Sequence, residues 1–378
     1  MPCARISGML APFQHSQARP MTLPRPLRLL LLGLLSSAII LAALVYSLTW
    51  HPTAREPATL VCAANAPVLQ PGQALKVMTW NVQFLAGKRY VFWHDLAAGQ
   101  DQRPTATDLA YNLDEVARVI RDEQPDLVLL QELHNGARAS DYQNQLKLLQ
   151  ERLNDLYPCS AATFYWQAAF VPHPQIMGSV GMQLATLSRV RIARAERLQL
   201  PRVRSDLLSR QFQPQHALLT TYLPLANGQE LVAINTQLAD PNPTSDDGAR
   251  QIAMSGSLLD QLESQRTPWL FAGDLNQLPP GPQYQQLTAN QRQHFKAHSE
   301  LTPLLARYPS IPTTEEASQP AWHTQYPNDP QLSAADRTVD YLLYSPRLVR
   351  LDARVRSNDT QRISDHLPLS ARLLLPLD

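Results

Sequence analysis

The sequence predicts an α/β domain of layered sheets behind one N-terminal membrane-spanning helix. Short apolar runs that end in polar side chains recur along the chain, the pattern of buried strands. Segments with apolar residues at helical spacing lie between them. Residues 29 to 50 form one continuous, uncharged and mostly apolar run, long enough to cross a bilayer as a helix.

Residues 1 to 28 form a basic segment with Arg5, Arg19, Arg25 and Arg28 and no acid. Residues 29 to 50 follow as the membrane anchor. A cleaved signal peptide is the competing reading, but it would have a shorter apolar region and small residues at a cleavage site, where Tyr46, Trp50 and Pro52 stand. Tyr46 and Trp50 have the character of interfacial anchors, and the preceding arginines place residues 1 to 28 in the cytoplasm. The large domain is then outside, periplasmic or extracellular in a bacterium. Met21 is an alternative start that leaves the anchor intact. Residues 51 to 74, with Pro52, Pro57, Pro67 and Pro71-Gly72, read as a linker, and residues 75 to 378 as the main domain.

Within that domain Lys76 to Val82 reads as a strand that delivers Asn81. Residues 85 to 106, with Tyr90, Phe92 and Trp93, form an irregular insert whose aromatic groups suit local packing, a substrate lid or a membrane-facing loop. Leu109 to Glu123 has a helical period, and Asp126 to Glu132 reads as a buried strand ending in Glu132. A helix is expected over Tyr142 to Leu156 and strands over Phe164 to Phe170 and Met182 to Ser188. Ala217 to Leu223 and Leu231 to Asn235 flank Asn227-Gly228, which marks a tight hairpin. Asp246 to Ser264 reads as a helix before the strand Trp269-Leu-Phe-Ala-Gly-Asp274. Short helices and loops are expected over the Pro-rich residues 279 to 335. Strands follow at Arg337 to Tyr344, Val349 to Ser357 and Ser370 to Leu375.

The chain has 33 basic and 32 acidic residues, and the first 50 residues hold four arginines and no acid, leaving 29 against 32 beyond them. A slightly acidic domain lacks the basic footprint of tight non-specific nucleic-acid binding. Nucleic acid is therefore a possible but disfavoured partner, and no obligate protein partner is evident. Of three cysteines, Cys62 and Cys159 share the exported side and can pair, although spacing does not establish their proximity. No Cys/His cluster has zinc spacing.

Asn81, Glu132, Asn235, Asp274, Asn276 and Asp340 stand at strand ends, and Ser364-Asp365-His366 precedes the last strand. Layered sheets bring such ends to one edge. Several carboxylates in one pocket repel unless a cation sits among them, and hard oxygen donors suit Mg²⁺ or Mn²⁺. An Asp beside a His that titrates near neutrality completes the parts needed for metal-assisted attack of water on a phosphoryl centre.

In order, Thr79-Trp80-Asn81, Leu130-Gln131-Glu132, Asn235-Thr236, Gly273-Asp274-Leu275-Asn276, Val339-Asp340-Tyr341 and Ser364-Asp365-His366 resemble the motifs of the endonuclease/exonuclease/phosphatase superfamily. The resemblance runs from about Lys76 to the C-terminus. It implies a four-layered α/β sandwich, two packed mixed sheets flanked by helices, with the site at one edge. It also implies that Glu132 is the principal Mg²⁺ ligand, with Asn81 and Asp365 assisting. Asp274 would orient or deprotonate the attacking water, Asn276, Asn235 and Gln237 would bind phosphate, and His366, fixed by Asp340, would contact the phosphoryl oxygens. Gln237 stands where many relatives have His. A carboxamide hydrogen-bonds but cannot act as an acid, so leaving-group protonation would fall to another group.

The anchor and the lack of basic character point to a lipid-linked or phospholipid-like phosphate ester as substrate. An exported nuclease and a catalytically weak module that holds a phosphorylated ligand are the rival readings.

Overall fold

The structure is a computed structural model that describes residues 24–96 and 98–377. It divides into two units at residues 47 and 48. The first is helix α1, Arg25–Leu48, whose 24 residues carry no acidic group and bury none of their side chains. Its length and composition suit a membrane span, and a signal sequence has the same character. It starts four residues before the expected anchor. Residues 1 to 23 of the basic segment, with Cys3, lie outside the described residues.

The second unit is an α/β sandwich of two seven-stranded mixed sheets. In chain order its elements are β1 (Arg55–Pro57), β2 (Thr59–Cys62), β3 (Ala74–Asn81), α2 (Ala106–Glu123), β4 (Leu127–His134), α3 (Gln145–Leu153), β5 (Cys159–Val171), β6 (Gly178–Ser188) and β7 (Arg194–Gln199). Then come β8 (Ala217–Pro224), β9 (Glu230–Gln237), α4 (Asp247–Ser264), β10 (Trp269–Asp274), β11 (Ser310–Ile311), β12 (Asp340–Tyr344), β13 (Val349–Val355) and β14 (Leu369–Leu374). One sheet runs β13-β14-β3-β4-β6-β5-β2 and the other β1-β7-β8-β9-β10-β12-β11.

Strand alternation explains the layering. Leu75, Val77, Leu127 and Leu129 of one sheet meet Leu231, Ala233, Leu270 and Ala272 of the other. Residues of opposite parity face outward: Met78, Trp80, Val128 and Leu130 pack on Leu113, Val116 and Ile120 of α2 and Leu149 of α3. On the far side Val232, Ile234, Trp269 and Phe271 pack on Ile252, Leu259 and Leu262 of α4. Helix, sheet, sheet and helix make the four layers. Thr105 caps α2 by accepting the Asp108 N–H at 3.2 Å, and Gln124 ends it in the left-handed conformation.

Two local expectations change, and two open ones are resolved. Part of the expected linker is strand: β1 pairs with β7, and β2 with β5. Short polar edge strands carry little periodic signal, which also hides β7. Trp50 packs on the domain: its ring meets Phe164 edge-on at 6.3 Å and lies under the Arg197 guanidinium at 4.7 Å. Phe92 in the irregular insert is buried between Tyr90, Phe84 and His94, so this ring packs locally. Cys62 and Cys159 face each other across the β2–β5 pair and form a disulfide.

Candidate active site

Strand register assembles one half of the site. Asp274 of β10 stands opposite Gln237 of β9 on one side and Asp340 of β12 on the other, so the three side chains leave the same face in one row. Gly273 makes the close β9–β10 approach possible: a Cβ there would lie 1.9 Å from the Thr236 carbonyl oxygen, and its φ is +149°. In the other sheet Asn81 pairs with Gln131 across the parallel β3–β4 ladder. Alternation would send Glu132 to the helix-covered face. Instead Glu132 adopts φ +61° where the β4–β6 register slips, and this bulge turns its carboxylate toward the neighbouring sheet.

Asn81 joins the halves. Its Nδ2 donates to Glu132 Oε1 at 2.9 Å and to Asp274 Oδ2 at 3.1 Å. Its Oδ1 accepts the Gln83 N–H at 2.9 Å, so Asn81 faces Glu132 with its nitrogen rather than with a ligating oxygen. Gln237 Nε2 also donates to Glu132 Oε1, at 2.7 Å, and Gln237 Oε1 accepts Tyr165 OH at 2.8 Å. His366 Nδ1 donates to Asp340 Oδ2 at 2.7 Å, which directs Nε2 toward Asp274 Oδ2, 3.8 Å away. That second separation is longer than a hydrogen bond. Ser364 Oγ ties the last motif to β3 by donating to the Asn81 carbonyl at 2.8 Å, and Trp80 Nε1 donates to the His366 carbonyl at 2.9 Å.

Asn276, in the left-handed conformation at φ +52°, donates its backbone N–H to Asp274 Oδ1 at 2.9 Å. Its Nδ2 donates to the Leu238 carbonyl at 3.0 Å and lies 3.5 Å from Asp240 Oδ1. Asn235 does not join this group. It is fully buried between the sheets, where Nδ2 donates to the Leu130 and Ala185 carbonyls and Oδ1 accepts Gln131 Nε2 at 2.7 Å. Depth decides this: Asn235, two residues before Gln237, leaves the same face of β9 but lies one step deeper in the inter-sheet layer. Asp240, Tyr165 and Gln325, whose Nε2 is 3.4 Å from His366 Nε2, were not foreseen. They lie on loops or mid-strand, away from the motifs, and only folding brings them in.

The electrostatics follow from burial. Desolvation raises the Glu132 pKa to about 6, and the Asp365 charge adds to it against the opposing Asn81 and Gln237 hydrogen bonds. Desolvation also raises Asp274 well above the carboxylate range, with Asp340 and Glu132 adding and His366 opposing. At His366 burial favours the neutral ring, but Asp340, Asp274 and Asp365 together outweigh it and raise its pKa well above the imidazole range. Asp365 is raised by burial, offset in part by His366 and Lys88.

Glu132 and Asp365 offer hard oxygen donors whose mutual repulsion a divalent cation would relieve, so these residues fit Mg²⁺ or Mn²⁺. Ligand atoms of Asp274, Asp340 and His366 also lie within 4.8 Å of one another, a spacing a cation accepts. There Nδ1 of His366 is already engaged with Asp340, the arrangement of an oriented imidazole.

The chain is a layered α/β sandwich with a carboxylate, carboxamide and imidazole cluster where the strand ends of both sheets meet, parts that suit hydrolysis of a phosphoric ester. Residues 78–366 match the Endonuclease/Exonuclease/phosphatase family, and the chain belongs to it. No curated protein matches the chain by sequence. Among solved structures it is similar to an endonuclease/exonuclease/phosphatase from Beutenbergia cavernae, at 22% identity over 80% of this chain and 72% of that one, with a TM-score of 0.53. It is also similar to TDP2 from C. elegans, at 14% identity, 81% and 76% coverage and a TM-score of 0.50. A third is D. rerio TDP2 complexed with a single-strand DNA product, at 15% identity, 80% and 99% coverage and a TM-score of 0.50. At these identities the structures establish the common fold.

Proposed function

We propose that this protein is a membrane-tethered, divalent-metal-dependent hydrolase of a lipid-linked phosphate ester. The observation that carries the reading is the convergence of Glu132, Asn81, Asp274, Asp340 and His366 at the meeting edge of the sheets. In this reading Glu132 and Asp365 hold the cation, which when bound neutralises charge on the phosphoryl oxygens. Asp274, turned by the Asn276 N–H and the Asn81 amide, orients the attacking water and takes its proton. His366, oriented through Nδ1 by Asp340, presents protonated Nε2 to a phosphoryl oxygen. The second Asn276 amide N–H, set only 3.5 Å from Asp240, is the one left for the phosphate.

Gln237 has no acid role. Held between Tyr165 and Glu132, it fixes the Glu132 carboxylate, and leaving-group protonation falls to His366 or to water. The tether reading is supported by α1, and the lipid-linked substrate by the tether together with the slightly acidic domain.

The test is a substrate screen of the full chain in vesicles with and without Mg²⁺. Release of a phosphorylated headgroup that stops on chelation is the expected result. Plasmid nicking with no headgroup release would transfer the reading to a nuclease. Binding without turnover, with turnover gained by Gln237→His, would make this a phospho-ligand-binding module.

A further inference from the structure

The segment between β7 and β8 takes no part in the chemistry above. Arg202, Arg204 and Arg210, with Ser205, Gln213 and Gln215, line a cavity of about 250 Å³. Arg204 is paired with Asp246 at 3.0 Å, and its backbone N–H reaches Asp247, a carboxylate also held by Arg250. Gln215 Oε1 is buried with no hydrogen-bond partner. Guanidinium groups match phosphate oxygens, and an unpartnered acceptor suits a hydroxyl donor.

Above this cavity Asp206 Oδ1 accepts the Leu208 and Ser209 N–H groups at 2.9 and 3.0 Å. The turn leaves consecutive leucines, Leu207 and Leu208, 73% and 60% exposed. Leucines on a braced turn among arginines form an apolar tip with a cationic rim, the composition of an interfacial membrane contact.

Chain connectivity says what covers it. The apolar helix ends at Leu48, and the next residue, Thr49, pairs with Ala168 of β5. Ala168 shares an apolar cluster with Val171, Val180 and Phe212, and Trp166 Nε1 donates to the Phe212 carbonyl at 2.7 Å. Phe212 belongs to the same loop as the leucines, so the chain enters the domain beside their base. Met177, 51% exposed at the β5–β6 turn, follows Ile176, which packs on the same cluster as Phe212. The loop also borders the site: the Gln215 N–H donates to the Tyr165 carbonyl at 2.5 Å, and Tyr165 holds Gln237 against Glu132.

We propose that residues 202–212 dock the domain on an anionic bilayer, with Leu207 and Leu208 in the acyl boundary and the arginines on lipid phosphates. Docking there holds the Gln237 side of the site against the lipid surface. This inference rests on the tether in the reading above and deepens it by naming the surface that meets the lipid.

The test uses the full chain in vesicles of phosphatidylcholine and phosphatidylglycerol on a Cys3→Ser background, where the disulfide leaves only an introduced thiol to label. A fluorophore at Leu207→Cys or Leu208→Cys is quenched by lipid-borne nitroxides several-fold more than one at Asp352→Cys, an exposed position on edge strand β13. Arg202→Gln with Arg210→Gln lowers that quenching to the level seen in pure phosphatidylcholine. A chain that floats with the vesicles yet shows equal quenching at all three positions overturns the docking surface and leaves the tether standing. A chain that does not float overturns both.

Discussion

In the proposed reading two side chains do most at the residue scale, and each depends on a neighbour. Asp274 is held by Asn81 and by the Asn276 N–H, and His366 by Asp340. Asp274→Ala or His366→Ala therefore lowers turnover by roughly 10²–10⁴-fold, the range for a positioned acid or base, with an unchanged circular dichroism spectrum. Near-normal turnover in either variant would remove that assignment. Asp340→Asn keeps the shape but loses the anion that contributes most to raising the His366 pKa. The limb of the pH–rate profile set by His366 then moves to lower pH; a limb that stays in place would show that Asp340 does not tune the ring.

Another histidine bears on stability. His134 stacks on Phe84 at 4.6 Å and shares a 3.0 Å hydrogen bond with Ser140. Burial holds its pKa down to about 3, with a smaller contribution from His94. Its unfolded value is about 6.5, so between roughly pH 6.5 and 3 the unfolded chain binds a proton that the folded chain excludes, and stability falls as pH drops through that window. His134→Gln flattens this acid limb. Urea midpoints measured from pH 7 to 4 check it, and an equally steep decline in the variant would refute it.

At the scale of elements, β10 depends on a residue with no side chain. Gly273→Ala forces a Cβ onto the Thr236 carbonyl, so β9 and β10 must separate at the point where Gln237 and Asp274 leave the sheet. Loss of activity together with a lowered melting temperature is expected; a fully active, equally stable variant would disprove the close approach. The disulfide acts at the other end of the fold by joining edge strand β2 to β5 across a sequence separation of 97 residues. Replacing both cysteines by serine costs about 2–5 kcal/mol of unfolding free energy by denaturant titration. A shift within error would mean that the unfolded chain gains little freedom without it.

For the whole molecule, members of this family are generally hydrolases of phosphoric esters, and in the proposed reading Glu132 and Asp365 hold a hard divalent cation. Chelation abolishes hydrolysis and Mg²⁺ or Mn²⁺ restores it, as measured by phosphate-ester release. Full activity in excess chelator would contradict the metal reading at its root.

The sequence by itself determined the α/β class, the apolar N-terminal helix and the order of site motifs, because strands and helices announce themselves by periodicity and strand ends by abrupt polarity. Asp274, Asp340 and His366 were legible for that reason. Only the tertiary structure decided which polar residues share a face. The bulge that turns Glu132 inward, the burial of Asn235 between the sheets and the grip of Tyr165 on Gln237 all depend on how two sheets stack. The short edge strands β1 and β2 and the pairing of Cys62 with Cys159 depend instead on long-range strand pairing within each sheet. Such contacts join residues far apart in the chain, 72 positions for Tyr165 and Gln237 and 97 for the two cysteines, and local periodicity contains no record of such distances.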